Sequence, residues 1–151
     1  MTAATIITLM SALSVLALLT WATVRNKALP NCLSDCYYIL GVPFTIVFGF
    51  ASWVMLYPVI QCWASPLAFV MVVTFSLVGI ACDYKSEWFY STHYINAVTS
   101  GLLSIVFVQK VCPEASWCYL IAAIGLIDER RWLLWVELGG LVSVYMSILN
   151  Y

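Results

Sequence analysis

The chain has 151 residues, of which 64% are hydrophobic and only 9% are charged. A soluble domain carries about 25% charged residues, so this composition excludes an ordinary water-soluble globule and points to an integral membrane protein. The net charge of −1 leaves no basic field for nucleic acid.

The first apolar run, residues 3–23, resembles the core of a signal peptide, but Arg25 and Lys27 follow the run rather than precede it. At about 1.5 Å per residue it is long enough to cross about 30 Å of hydrocarbon. It is read as a retained first span. Further apolar runs at 37–57, 66–82, 94–111, 115–127 and 132–151, parted by short polar breaks, complete six expected spans in one transmembrane domain, 1–151. The expected fold is an all-α bundle. The fifth run is short: thirteen α-helical residues reach only about 20 Å.

Charge placement sets the expected orientation. Arg25, Lys27, Lys85, Arg130 and Arg131 fall in the first, third and fifth breaks, and only Lys110 falls on the other side. The positive-inside rule then places those breaks in the cytoplasm and both termini outside. The tryptophans sit near span ends, as an interfacial aromatic belt predicts. Small residues recur at helical spacing in three stripes: Gly41, Thr45 and Gly49; Ala97, Ser100, Gly101 and Ser104; and Gly139, Ser143 and Ser147. Such stripes let helices approach closely, within the bundle or between copies of the chain.

The polar residues gather on the cytoplasmic side. Ser34 and Asp35 open the second span, Asp83 closes the third, and His93, the only histidine, opens the fourth. Asp128, Glu129, Arg130 and Arg131 form the fifth break, and Glu137 lies inside the sixth span. One reading is a shallow catalytic site: Ser34 as nucleophile, His93 as general base, with Asp83 and Glu137 as acids and Asp35, Asp128 and Arg131 completing the polar cluster. The other reading is structural. Ser34 or Asn31 caps the second helix, Ser91 or Thr92 caps the fourth, and the fifth break neutralises itself. An ionisable residue inside a span is a functional candidate by default, so Glu137 is the sharpest anomaly.

The cysteines divide by side. Cys32, Cys36 and Cys82 with His93 make a set of four soft donors that suits zinc, but their spacing matches no standard zinc signature. Cysteines packing like alanine are the alternative, and no cofactor is expected. Cys112 and Cys118 flank a proline turn on the outer side, where an oxidising compartment favours a disulfide.

Three pieces carry a resemblance: Ser34-Asp35 followed by Tyr37-Tyr38; His93-Tyr94 with Gly101 below; and Asp128-x-Arg130-x-Trp132 leading to Trp135 and Glu137. They resemble a group of small, uncharacterised integral membrane proteins from anaerobic gut bacteria and their phages. That resemblance implies a polytopic inner-membrane protein and no established activity. A more distant similarity is to alkaline ceramidases and related membrane hydrolases, with Ser34, Asp83 and His93 at the matching positions. Those enzymes use several histidines where this chain has one. The expected function is therefore a membrane component that binds lipid or another membrane protein. A membrane-embedded lipid hydrolase is the alternative, and a pore or holin-like protein is a third.

Overall fold

In the computed structural model, which describes every residue except Cys82 and Tyr84, all regular elements among the described residues are helical. They run α1 (Ala3–Asn26), α2 (Asp35–Leu40), α3 (Val42–Val54), α4 (Leu56–Cys62), α5 (Pro66–Ile80) and α6 (Glu87–Val111). A 3₁₀ helix, Pro113–Leu126, and a short 3₁₀ turn, Glu129–Arg131, precede α7 (Trp132–Leu149). The all-α bundle is as expected. The number of long spans is not: among the described residues four helical stretches, Ala3–Asn26, Val42–Cys62, Glu87–Val111 and Glu129–Leu149, are long and apolar enough to cross a membrane.

The bundle is apolar outside as well as inside. Only 22% of the best 18-residue window in α1 and 17% of that in α6 is buried. Ile95, Val98 and Leu102 along α6 are each at least 60% exposed. Water would penalise such faces at about 25 cal/mol per Å² of apolar surface, whereas lipid does not. The chain is an integral membrane protein.

Local chemistry sets the breaks. Thr2 caps α1 by accepting from the Thr5 amide at 3.2 Å, and Ser65 caps α5 from Leu67 at the same distance, with Pro66 in the first helical position. The expected second span, 37–57, is cut twice. Gly41 separates α2 from α3 with φ 70° and ψ −145°, a conformation open essentially to glycine alone. It therefore turns the chain instead of continuing the Gly41, Thr45, Gly49 stripe. Pro58 lacks the amide that would bond back to Val54, the last residue of α3.

The two short expected spans are resolved differently. α5 has 15 residues and reaches about 22 Å. The expected fifth span forms a 14-residue 3₁₀ helix, whose rise of about 2.0 Å per residue gives a reach of about 28 Å. Such long 3₁₀ runs are uncommon. Small residues on its face, Ala115, Cys118, Ala122 and Gly125, let its backbone press onto α7: a Cβ on Gly139 would sit 3.3 Å from the Ala122 amide nitrogen. The Gly139, Ser143, Ser147 stripe is buried, as expected. Gly101 in the Ala97, Gly101 stripe is exposed, with nothing within 4 Å of an added Cβ.

Two apolar clusters fill the interior. One joins α1, α2 and α3 through Leu18, Ala22, Cys36, Leu40, Phe44 and Phe48. The other joins α4, α5, α6 and α7 through Val59, Met71, Phe107, Val108 and Ile148. The segments after α1, after α5 and before α7 meet at one end of the bundle. That end holds Arg25, Lys27, Lys85, Arg130 and Arg131 and is called the basic end below.

Candidate polar site at the basic end

The loop between α1 and α2 is laid along the start of α7. The Arg131 Nε donates to the Leu29 carbonyl at 3.3 Å. The Leu134 amide donates to the Asn31 carbonyl at 3.1 Å. The Leu33 amide donates to Glu137 Oε2 at 2.6 Å. Residues 131, 134 and 137 are one helical turn apart and share a face, so alternate loop residues meet successive turns of α7. The first amides of a helix lack partners within it, and Asn31 satisfies one of them. Glu137 thus plays a structural part, receiving a loop amide that would otherwise be left without an acceptor inside apolar surroundings.

That loop delivers Ser34 to His93. The Ser34 Oγ lies 3.3 Å from His93 Nε2, and His93 Nδ1 lies 3.1 Å from the Ala81 carbonyl. A carbonyl only accepts, so Nδ1 carries a proton, and in the neutral ring Nε2 accepts from the serine hydroxyl. Ala81 follows the last residue of α5 as its C-cap, so the imidazole Nδ1–H donates to one of the orphan carbonyls at that helix end. The helix-capping expectations for these residues do not hold. Ser34 precedes α2 but makes no side-chain cap. Asn31 contributes backbone groups only. α6 begins at Glu87 after Ser86, so Ser91, Thr92 and His93 lie within it rather than at its start.

The other expected acids lie elsewhere. Asp83 accepts from the Tyr38 hydroxyl at 3.0 Å, and that hydroxyl accepts from the Lys85 amide at 2.9 Å. The Lys85 ammonium lies 4.1 Å from the Tyr38 ring centroid and 3.8 Å from Asp35 Oδ1. Asp35 Oδ2 accepts from the Asn31 amide at 3.3 Å. Asp128 accepts from the Trp135 indole at 3.1 Å and from Arg131 at 3.2 Å. These donors, the indole first, hold its carboxyl below the ordinary aspartate range.

Some of these residues belong to a cavity of about 240 Å³, lined by Asn26, Ala28, Leu29, Pro30, Asn31, Asp35, Tyr38, Ile39, Lys85, Arg130 and Arg131. Asn26, Ala28, Asn31, Tyr38, Lys85 and Arg130 are exposed, so the cavity is reached from the surface of the basic end. Ser34 and His93 do not line it, and they are 3% and 6% exposed. The structure therefore separates two features that the sequence reading combined: a closed Ser34–His93 contact and an open polar cavity. Tyr38, Lys85, Asn26 and Arg130 were missed as site residues. The count of Lys and Arg by side already grouped Lys85 with Arg130, and Tyr38 entered the sequence reading only through the Tyr37-Tyr38 piece of the resemblance.

The cysteine expectations also change. Among the described residues, no three of His, Cys, Asp and Glu gather in a way that could hold a metal ion; Cys82 lies outside the described residues. Cys36 is fully buried, and burial first, then neighbouring Cys32 and Glu137, pushes its thiol up to about 12. A metal ligand must be the thiolate, which this environment disfavours. Cys112 and Cys118 are free thiols, not a disulfide. Six 3₁₀ residues rise about 12 Å, beyond the roughly 7 Å that a disulfide spans between Cα atoms. Cys112 Sγ instead lies 3.5 Å from Glu114 Oε2, and Cys118 packs inward, its carbonyl 3.5 Å from where a Gly139 Cβ would be.

No family model, curated protein or solved structure matches the chain.

Proposed function

We propose that this protein acts by binding, holding a polar membrane component in the cavity at the basic end. The observation that carries this reading is the separation of cavity from buried pair. The reachable space is lined by charged and amide groups beside Tyr38 and a few apolar side chains, whereas the serine–histidine pair is shut inside the bundle. The positive-inside rule supports a cytoplasmic orientation for this end, with both termini on the opposite side. A polar cavity at the end of apolar spans suits a lipid headgroup, so a membrane lipid is the ligand class proposed.

Native mass spectrometry of the protein released from mild detergent tests this reading. One lipid in fixed stoichiometry is expected on the unmodified chain and is lost in Ala28→Trp, which fills the cavity mouth. A bare polypeptide mass for both overturns it.

A second reading, a membrane-embedded lipid hydrolase, draws support from the Ser34–His93 distance alone. It requires the loop before α2 to lift from α7 and admit an ester to Ser34. Turnover of a lipid ester that survives in Ser34→Ala would eliminate it.

A further inference from the structure

We infer that the ligand held at the basic end is a phosphate ester, with Arg130 and Lys85 as its principal contacts. This inference rests on the binding reading above and adds the chemistry of the group bound. The cavity of about 240 Å³ is smaller than the roughly 300–1,000 Å³ of a pocket that takes a drug-sized ligand. That suits a headgroup and not a whole lipid, so the acyl chains must lie along the apolar exterior.

The charges on its wall do not cancel. Lys85, Arg130 and Arg131 face it against the single carboxylate of Asp35. Arg131 is occupied by Asp128 at 3.2 Å, and Lys85 shares Asp35 at 3.8 Å. Arg130 is exposed and makes no ion pair among the described residues. Arg130 therefore brings to the cavity wall a guanidinium that no carboxylate among the described residues pairs. A guanidinium presents a planar fork of donors that matches phosphate oxygens, and an ammonium adds a point charge. Asp35 does not oppose such a ligand directly, because the Asn31 amide and Lys85 already engage both of its oxygens.

The same phosphate chemistry is carried by a glycerophospholipid headgroup or by a soluble phosphate ester. The test places the full-length protein in nanodiscs containing equal amounts of phosphatidylglycerol and a neutral galactosyl diacylglycerol, followed by native mass spectrometry. Retention of phosphatidylglycerol over the glycolipid is expected, falling about tenfold in Arg130→Gln/Lys85→Gln. Displacement by millimolar glycerol phosphate, lost in the same variant, assigns the site to a soluble ester and still supports phosphate recognition. Equal retention of the glycolipid, unchanged by the substitutions, overturns the inference while leaving lipid binding intact. Retention of neither lipid, with no glycerol phosphate bound, overturns both.

Discussion

Ser34 Oγ and His93 Nε2 are 3.3 Å apart, and the opposite ring nitrogen meets the Ala81 carbonyl at 3.1 Å. One imidazole thus ties the start of α2 to the end of α5 from within α6. If this is a strut, the two side chains must be coupled energetically. His93→Ala is expected to lower stability by about 1–3 kcal/mol, because it strands a buried carbonyl and a buried hydroxyl. Ser34→Ala costs about 1 kcal/mol, and the double variant costs less than the sum. Unfolding in detergent across the four proteins measures the coupling; strict additivity would remove the strut.

Glu137 is explained by the amide it receives. Glu137→Gln keeps an acceptor for Leu33 and is expected to be the milder change. Glu137→Ala leaves that amide without its partner and costs about 1–3 kcal/mol. Hydrogen exchange at residues 31–34 should rise in the alanine variant and stay low in the glutamine variant. Equal exchange in both would mean that this bond does not hold the loop.

The close approach before α7 makes a steric prediction. A Cβ at Gly125 would come 2.9 Å from Trp132 Cα, a backbone atom that cannot swing aside. Gly125→Ala should therefore destabilise by about 1–3 kcal/mol, as overpacking does. Gly101→Ala meets nothing within 4 Å and should be neutral or slightly stabilising, since alanine favours the helix. Melting temperatures of the two variants decide the matter, and the reverse order would contradict this packing.

Asp128 supplies a pH dependence. Its carboxyl is held below the ordinary value by the Trp135 indole and then by Arg131. A depressed folded value means that its contribution is full above the unfolded value of about 3.9 and is lost as pH falls through the lower folded value. The stability gap between the unmodified protein and Asp128→Asn should be present at neutral pH and close under acid. A gap that persists at the acid end would show that the carboxylate's charge is not its source.

The helical, membrane-embedded character was legible because it rests on sums: apolar content and run length. Convergence of polar residues at one end was also legible, since alternating spans send every second break to the same face. Pairings were not. Nothing in the order of residues says that Glu137 meets Leu33, 104 positions away, because backbone amides leave no mark on sequence. The broken second span was readable in principle from Gly41 and Pro58, but apolar run length outweighed them. The 3₁₀ segment was beyond reach, because the small side chains of Ala115, Cys118, Ala122 and Gly125 matter only once α7 lies against them.

The cavity between the loop before α2, Lys85 and Arg130 is where a lipid headgroup is proposed to sit. The most direct measurement is photolabelling in nanodiscs with a phospholipid bearing a diazirine at its headgroup, followed by peptide mapping. Adducts are predicted within residues 26–39, at Lys85 and at Arg130 or Arg131, and are suppressed by Ala28→Trp. Adducts spread over the exposed apolar faces of α1 and α6, with none around the cavity, would contradict it.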